Sequence, residues 1–318
     1  MIFLSNIQSV KYQTKIVVMN RLKTIIYHEY MMDIRGKGFW IATFLMPVLV
    51  LGFGMFIGFL AQDSDALTNT VSPTAPGPHD DLSGMQIVGM LCGMFLTLFV
   101  MVYGAQIFNK VKNEKTNRIV EIIVASVPGR DMMLAKVISV GLVGLTQLLL
   151  WGLLIGMMIM VLYLFAPISI PIGEILNLDA LMALMWAIIY FIGGYVFYGS
   201  MFAAVGALTD RNNENQEYMT ILTFILLGSF YIGMFAVDNQ DSMLTTWCNY
   251  IPLTSPTVAV VGAISGSLSL LQSLISVAVL YVSALITLSF AGKIYTSALL
   301  LKGKKFSPKD ILTFLKAK

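Results

Sequence analysis

The distribution of positive charge constrains this chain more than any other feature. Its 20 Lys and Arg residues fall in four places only: residues 1–37, residues 110–136, Arg211, and residues 293–318. Between them lie apolar runs that reach the ~20 residues needed to cross a bilayer. Six such runs are read, at about 39–61, 85–108, 137–165, 181–208, 218–237 and 268–291. None carries an Asp, Glu, Lys or Arg well inside it. With the N-terminus in the cytoplasm, six spans put every basic residue on the inner side. The outer segments then hold only acids: Asp63, Asp65, Asp80, Asp81, Glu174, Asp179, Asp238 and Asp241. That is the positive-inside pattern without an exception, and a different span count would scramble it. Both termini are therefore expected in the cytoplasm.

Composition agrees. The chain is 57% hydrophobic and 12% charged, whereas a soluble domain carries about a quarter of its residues as charges. The expected fold is an all-α integral membrane protein, one transmembrane domain over 1–318. Residues 1–20 read as a variable N-terminal extension, with Met19 a second candidate start. Residues 21–37 carry a helical stripe of Leu22, Ile25, Ile26, Tyr30 and Ile34. They read as an elbow helix on the inner leaflet.

The chemistry of catalysis is absent from the sequence. Its two histidines, His28 and His79, lie outside the spans, and its two cysteines, Cys92 and Cys248, are too few for a disulfide framework. There is no HExxH, GxSxG or GxxxxGK[ST] pattern. An intramembrane enzyme would need a nucleophile and base, or metal ligands, inside a span. A proton-driven carrier would need ionisable groups there. Energy for any transport must then enter through the cytoplasmic surface.

Residues 109–136 are the long polar interruption that still reads as a helix. Glu114 and Arg118 are four apart, and Arg118 and Glu121 three apart, so they can pair along one face. Ile119, Ile122 and Ile123 give the opposite face an apolar stripe, and Pro128 with Gly129 ends it. Such a helix can lie flat on lipid, serve as a handle for a soluble partner, or be merely solvated.

Here the sequence resembles a known family. Glu114, Lys115 and Thr116, then Glu121, Ile122 and Ile123, then Lys136, are similar to the cytoplasmic coupling helix of type-2 ABC exporter permeases in the NatB-like branch. Ala135 stands where Gly is usual. Further resemblance comes from Glu29, Tyr30, Arg35, Lys37, Phe39, Thr43, Met46 and Pro47, and from Thr146, Gln147 and Trp151. Residues 193–210 and the tail residues Gly292, Lys293, Tyr295, Gly303, Lys304 and Lys305 extend it. Residues 238–267 contain an apolar stretch too short to span, broken by Pro252 and Pro256. They read as a re-entrant external segment, and Pro252, Ser255 and Pro256 match the family there. Gly262 stands where relatives often carry Arg. The acidic loop at 62–84 departs from the family, many members of which carry a folded external domain at that point.

The resemblance implies a permease subunit that moves a substrate outward across the cytoplasmic membrane. It implies an ABC ATPase subunit as partner, holding ATP and Mg, and a second permease subunit, identical or related. This chain would hold no cofactor or metal and bind no nucleic acid. Glu114, Lys115, Arg118, Ile119, Glu121, Ile122 and Ile123 would be the coupling residues. The competing reading is a membrane scaffold or immunity protein on the same fold.

Overall fold

A computed structural model describes residues 22–45, 47, 84–116, 129–165, 178–209, 217–239 and 242–300. Among them all regular structure is helical. Helix α1 covers 22–34 and α2 covers 37–45, separated by a break at Arg35 and Gly36. The others are α3 (Gly84–Thr116), α4 (Gly129–Phe165), α5 (Leu178–Leu208), α6 (Glu217–Asp238), α7 (Met243–Cys248), α8 (Ser255–Ser265) and α9 (Leu270–Leu300). Five of these, α3, α4, α5, α6 and α9, are long and apolar enough to cross a membrane. Most of the expected first span, 39–61, lies outside the described residues. So do the extension at 1–20, the acidic loop, the coupling residues 117–128 and the tail from 301.

Two helix boundaries differ from the sequence expectation. The polar segment 109–136 reads as a separate element, but α3 runs through its beginning to Thr116 and α4 starts within it at Gly129. The apolar windows stop earlier because they count Lys110, Glu114 and Lys136 as solvated. These side chains are instead paired inside the bundle, so the helices continue past them.

The middle helix of the bundle is α5, which packs on α3, α4, α6, α8 and α9. Lipid tails are as apolar as leucine, so close packing, not water exclusion, holds such helices together. Small residues make the close approach possible. At Gly206 an added Cβ would lie 2.7 Å from the backbone oxygen of Phe108 on α3. At Gly104 on α3 it would fall within the ring of Phe202 on α5, 2.4 Å from its Cδ2. Around these contacts Tyr190, Tyr198, Phe202, Phe108, Leu226 and Leu280 are fully buried. A second cluster, centred on Tyr103, Ile107, Met133, Val137 and Tyr295, joins α3, α4 and α9.

Most polar side chains inside the apolar helices are satisfied locally or by a neighbour, as a bilayer demands; Ser255 Oγ on α8 is buried without a partner among the described residues. Thr97, Ser200 and Thr287 donate to the carbonyl four residues back. Tyr103 on α3 donates to Gln147 Oε1 on α4 at 2.6 Å, so Gln147 serves helix packing. Tyr195 on α5 donates to the Val137 carbonyl at 2.7 Å, and Trp151 on α4 to that of Thr43 at 3.1 Å. Cys92 and Cys248 are both free thiols.

The α3–α5 contact yields a prediction. Gly206→Leu places side-chain atoms against backbone and should destabilise by about 1–3 kcal/mol or more. Gly156→Leu should be nearly neutral, because nothing lies within 4 Å of a Cβ there. Thermal unfolding of both variants in one detergent checks the difference.

Candidate functional site

At one end of the bundle four helices meet through charge. Two of them contribute residues at helical i, i+4 spacing, which places both side chains on one face. Helix α1 brings Glu29 and Asp33, and α3 brings Lys110 and Glu114. Helix α4 adds Lys136, and α9 adds Tyr295. Lys110 Nζ lies 2.9 Å from Glu29 Oε2 and 2.6 Å from Asp33 Oδ2. Lys136 Nζ lies 3.2 Å from Glu29 Oε1 and also pairs with Glu114 Oε1. The Tyr295 hydroxyl donates to Glu114 Oε2 at 2.7 Å. A chain of contacts thus runs from Asp33 through Lys110, Glu29, Lys136 and Glu114 to Tyr295.

Lys136 is the centre of this chain. Its side chain is 3% exposed, against 14% for Glu29 and 21% for Glu114. A lysine ammonium so buried needs carboxylates around it. Burial pushes the Glu29 carboxyl up, but Lys136 and Lys110 outweigh that and hold it below the ordinary value. Nearby, Tyr30 of α1 and Thr146 of α4 share a 2.8 Å hydroxyl–hydroxyl bond, so α1 is fastened to α4 at two levels.

Of the expected coupling residues, Glu114 and Lys115 lie within α3. Arg118, Ile119, Glu121, Ile122 and Ile123 lie outside the described residues. Glu114 reads in the sequence as a partner of Arg118, which is outside the described residues; among those described, its carboxylate is held by Lys136 and Tyr295. Glu29, Asp33, Lys110 and Tyr295 carry no assigned role in the sequence reading. A signal for them was present: Lys136 is a lone cation beside the apolar run Val137–Ile138–Ser139–Val140, so it had to find carboxylates in other helices.

The segment read as re-entrant holds two short helices, α7 and α8, joined by a turn. Pro252 sits in the turn joining α7 to α8, Ser255 and Pro256 open α8, and Gly266 at φ 76° closes it. The turn's backbone is satisfied from three long helices. The Leu253 carbonyl accepts from Tyr198 of α5 and from Ser229 of α6, the latter at 2.9 Å. Ser276 of α9 donates to the Asn249 carbonyl at 2.5 Å. Pro256 packs where Gly194 of α5 lacks a side chain. Irregular backbone is tolerated at membrane depth only with such partners.

Five helices long and apolar enough to cross a membrane, three of them tied together at one end by an ionic cluster, define a multi-pass membrane protein. The chain belongs to the ABC-2 family transporter proteins: the family's model matches residues 68–293, well over half of the chain. It is 27% identical over 232 residues to the uncharacterized protein YhaP of Bacillus subtilis, covering 71% of this chain and 55% of that one. It is 23% identical over 298 residues to the uncharacterized protein MJ1024 of Methanocaldococcus jannaschii, covering 94% of this chain and 60% of that one. The chain thus spans little more than half the length of these relatives. No solved structure matches it.

The cluster predicts two measurements. Lys136→Met leaves Glu29 and Glu114 without their shared cation and should cost about 3–5 kcal/mol. Adding Glu114→Gln to Lys136→Met should restore part of that loss, as thermal unfolding of the single and double variants would show. The pH dependence follows from Glu29. Its folded value lies below the ordinary 4.5, so the folded state binds fewer protons than the unfolded state. Its contribution is complete above that ordinary value and is lost as pH falls through the folded one. Hydrogen exchange in 22–34 should therefore be slow at neutral pH and accelerate in that acid window, beyond the change expected of intrinsic exchange.

Proposed function

We propose that this chain is the transmembrane permease subunit of an ATP-driven exporter, of the type-2 ABC class and its NatB-like branch. In this reading it has six spans, the first at 39–61, and lies in the cytoplasmic membrane with both termini inside. Segment 21–37 is the elbow helix, and 238–267, with α7 and α8, is the re-entrant external segment. A separate ATPase subunit holds ATP and Mg, and a second permease subunit completes the pair. Substrate moves outward.

One observation carries the mechanism. The connection at 117–128 holds most of the coupling residues, and the ion pair between Glu114 and Lys136 ties its two flanking helices together. A partner that grips Arg118, Ile119, Glu121, Ile122 and Ile123 pulls on a clamped base. Through Glu29 the pull reaches α1, and through Tyr295 it reaches α9. ATP-driven closure of the partner would thereby bias the bundle between inward- and outward-facing states. Glu114 and Lys115 act at the root of the connection, nearest this clamp.

The test is gentle purification of the tagged chain from its native membrane, with identification of what accompanies it and an ATP hydrolysis assay. The expected companion is a chain with a Gly-rich phosphate loop. Glu121→Ala should weaken its capture or uncouple its hydrolysis. Glu114→Gln should leave capture intact and reduce coupling. A chain that emerges alone, with no associated hydrolysis and no effect of Glu121→Ala, would overturn the exporter reading in favour of a scaffold.

A further inference from the structure

A second polar site lies at the opposite end of the bundle from the ionic cluster. There the end of α6, helices α7 and α8, and the beginning of α9 enclose a cavity of about 150 Å³. Its lining includes Thr245, Thr246, Asn249, Gly262, Ser267 and Gln272, and no lining residue carries a charge. At about 30 Å³ per water the space equals roughly five waters, or one small organic group.

The lining is rich in acceptors. Asn249 is 4% exposed, and its Oδ1 has no hydrogen-bond partner among the described residues. Leaving a buried acceptor unmet costs stability, so such a group usually marks a missing donor. Three of the hydroxyl protons around it are already spent on backbone carbonyls. Thr245 donates to Asn239 at 2.8 Å, Thr246 to Ser242 at 3.1 Å, and Ser267 to Gly262 at 3.2 Å. What these hydroxyls have left to offer is oxygen lone pairs. Gln272 turns its own oxygen toward the Ser269 N–H at 3.0 Å, which leaves its NH₂ as a donor.

Acceptors without a cation reject anions. The surrounding sequence is poor in positive charge as well: Arg211 is the only Lys or Arg between Lys136 and Lys293. The chemistry that fits is a compact donor with several N–H bonds, a protonated primary amine. Its three donors would meet Asn249 Oδ1 and the hydroxyl oxygens, and the Gln272 NH₂ would suit an oxygen next to the amine.

We propose that the cavity between α6, α7, α8 and α9 binds a primary ammonium group through Asn249, Thr245, Thr246 and Ser267. Two sources present that group: a free small amine, or an ethanolamine headgroup of the bilayer. The site is distinct from the coupling segment, and its occupancy is read without transport or an ATPase.

The experiment uses the full chain in nanodiscs of phosphatidylcholine, whose quaternary headgroup has no N–H. Ethylammonium chloride and tetramethylammonium chloride are titrated at equal ionic strength, with melting temperature and Trp247 fluorescence as readouts. Ethylammonium should give a saturable response, and tetramethylammonium should give none. Asn249→Leu and Thr246→Val should each weaken ethylammonium binding by about tenfold, the scale of one hydrogen bond to a charged group. Thr246 is exposed and Val nearly matches its shape, so this variant tests the site even if Asn249→Leu fails to fold. Repeating the titration in phosphatidylethanolamine separates the sources. A melting temperature already raised, with no further response to ethylammonium, assigns the headgroup; an unchanged titration assigns a free amine. Equal responses to both cations, no saturation, or undiminished binding in Thr246→Val would overturn the proposal and leave a water-filled cavity.

Discussion

The charged end of this bundle depends on keeping one lysine ionised where water hardly reaches it. Lys136 has 3% of its side chain exposed, and an ammonium so placed is stable only with its counter-charges in contact. Those counter-charges come from helices far apart in sequence, Glu29 on α1 and Glu114 on α3. One desolvated cation therefore fixes where three helices end relative to one another. Tyr295 extends the arrangement to α9 by occupying the second oxygen of Glu114. Removing a single group would strand the others in a poorly hydrated place, so the helices are held as a set.

The same rule governs the other end by different means. The turn from Asn249 to Thr254 is irregular backbone between apolar helices, and its carbonyls take side-chain donors from α5, α6 and α9. Neutral hydrogen bonds replace ion pairs there. Between the two ends, α5 lets its neighbours close in at Gly194 and Gly206. The bundle is thus bonded by charge at one end, by hydroxyl-to-carbonyl bonds at the other, and by contact in the middle.

Much of this was legible in the sequence, and for a physical reason. A bilayer fixes span length, so uninterrupted apolar runs located the five long apolar helices among the described residues. What was not readable is which charges meet. The i, i+4 spacing offered Glu114 a partner in Arg118, which lies outside the described residues; what it could not show are Lys136 and Tyr295, the latter 181 residues away. Periodicity reports which face a residue occupies on its own helix and nothing about which helix lies opposite. Helix ends were misplaced for the same reason, since a hydropathy window cannot distinguish a solvated lysine from a paired one.

The unbroken length of α3 has a consequence of its own. Its 33 residues contain no proline and make a rod about 50 Å long. Gln86 near one end donates to the Val237 carbonyl of α6 at 3.4 Å, while Glu114 near the other belongs to the ionic cluster. Nearer the charged end, Gly104 sits against Phe202, a contact with no side chain on the α3 side. With arms of ~27 Å to Gln86 and ~15 Å to Glu114, a tilt of ~5° about that point would carry them ~2.4 Å and ~1.3 Å in opposite directions. Motion applied at the charged end would arrive at the cavity end reversed in sign and nearly doubled in size.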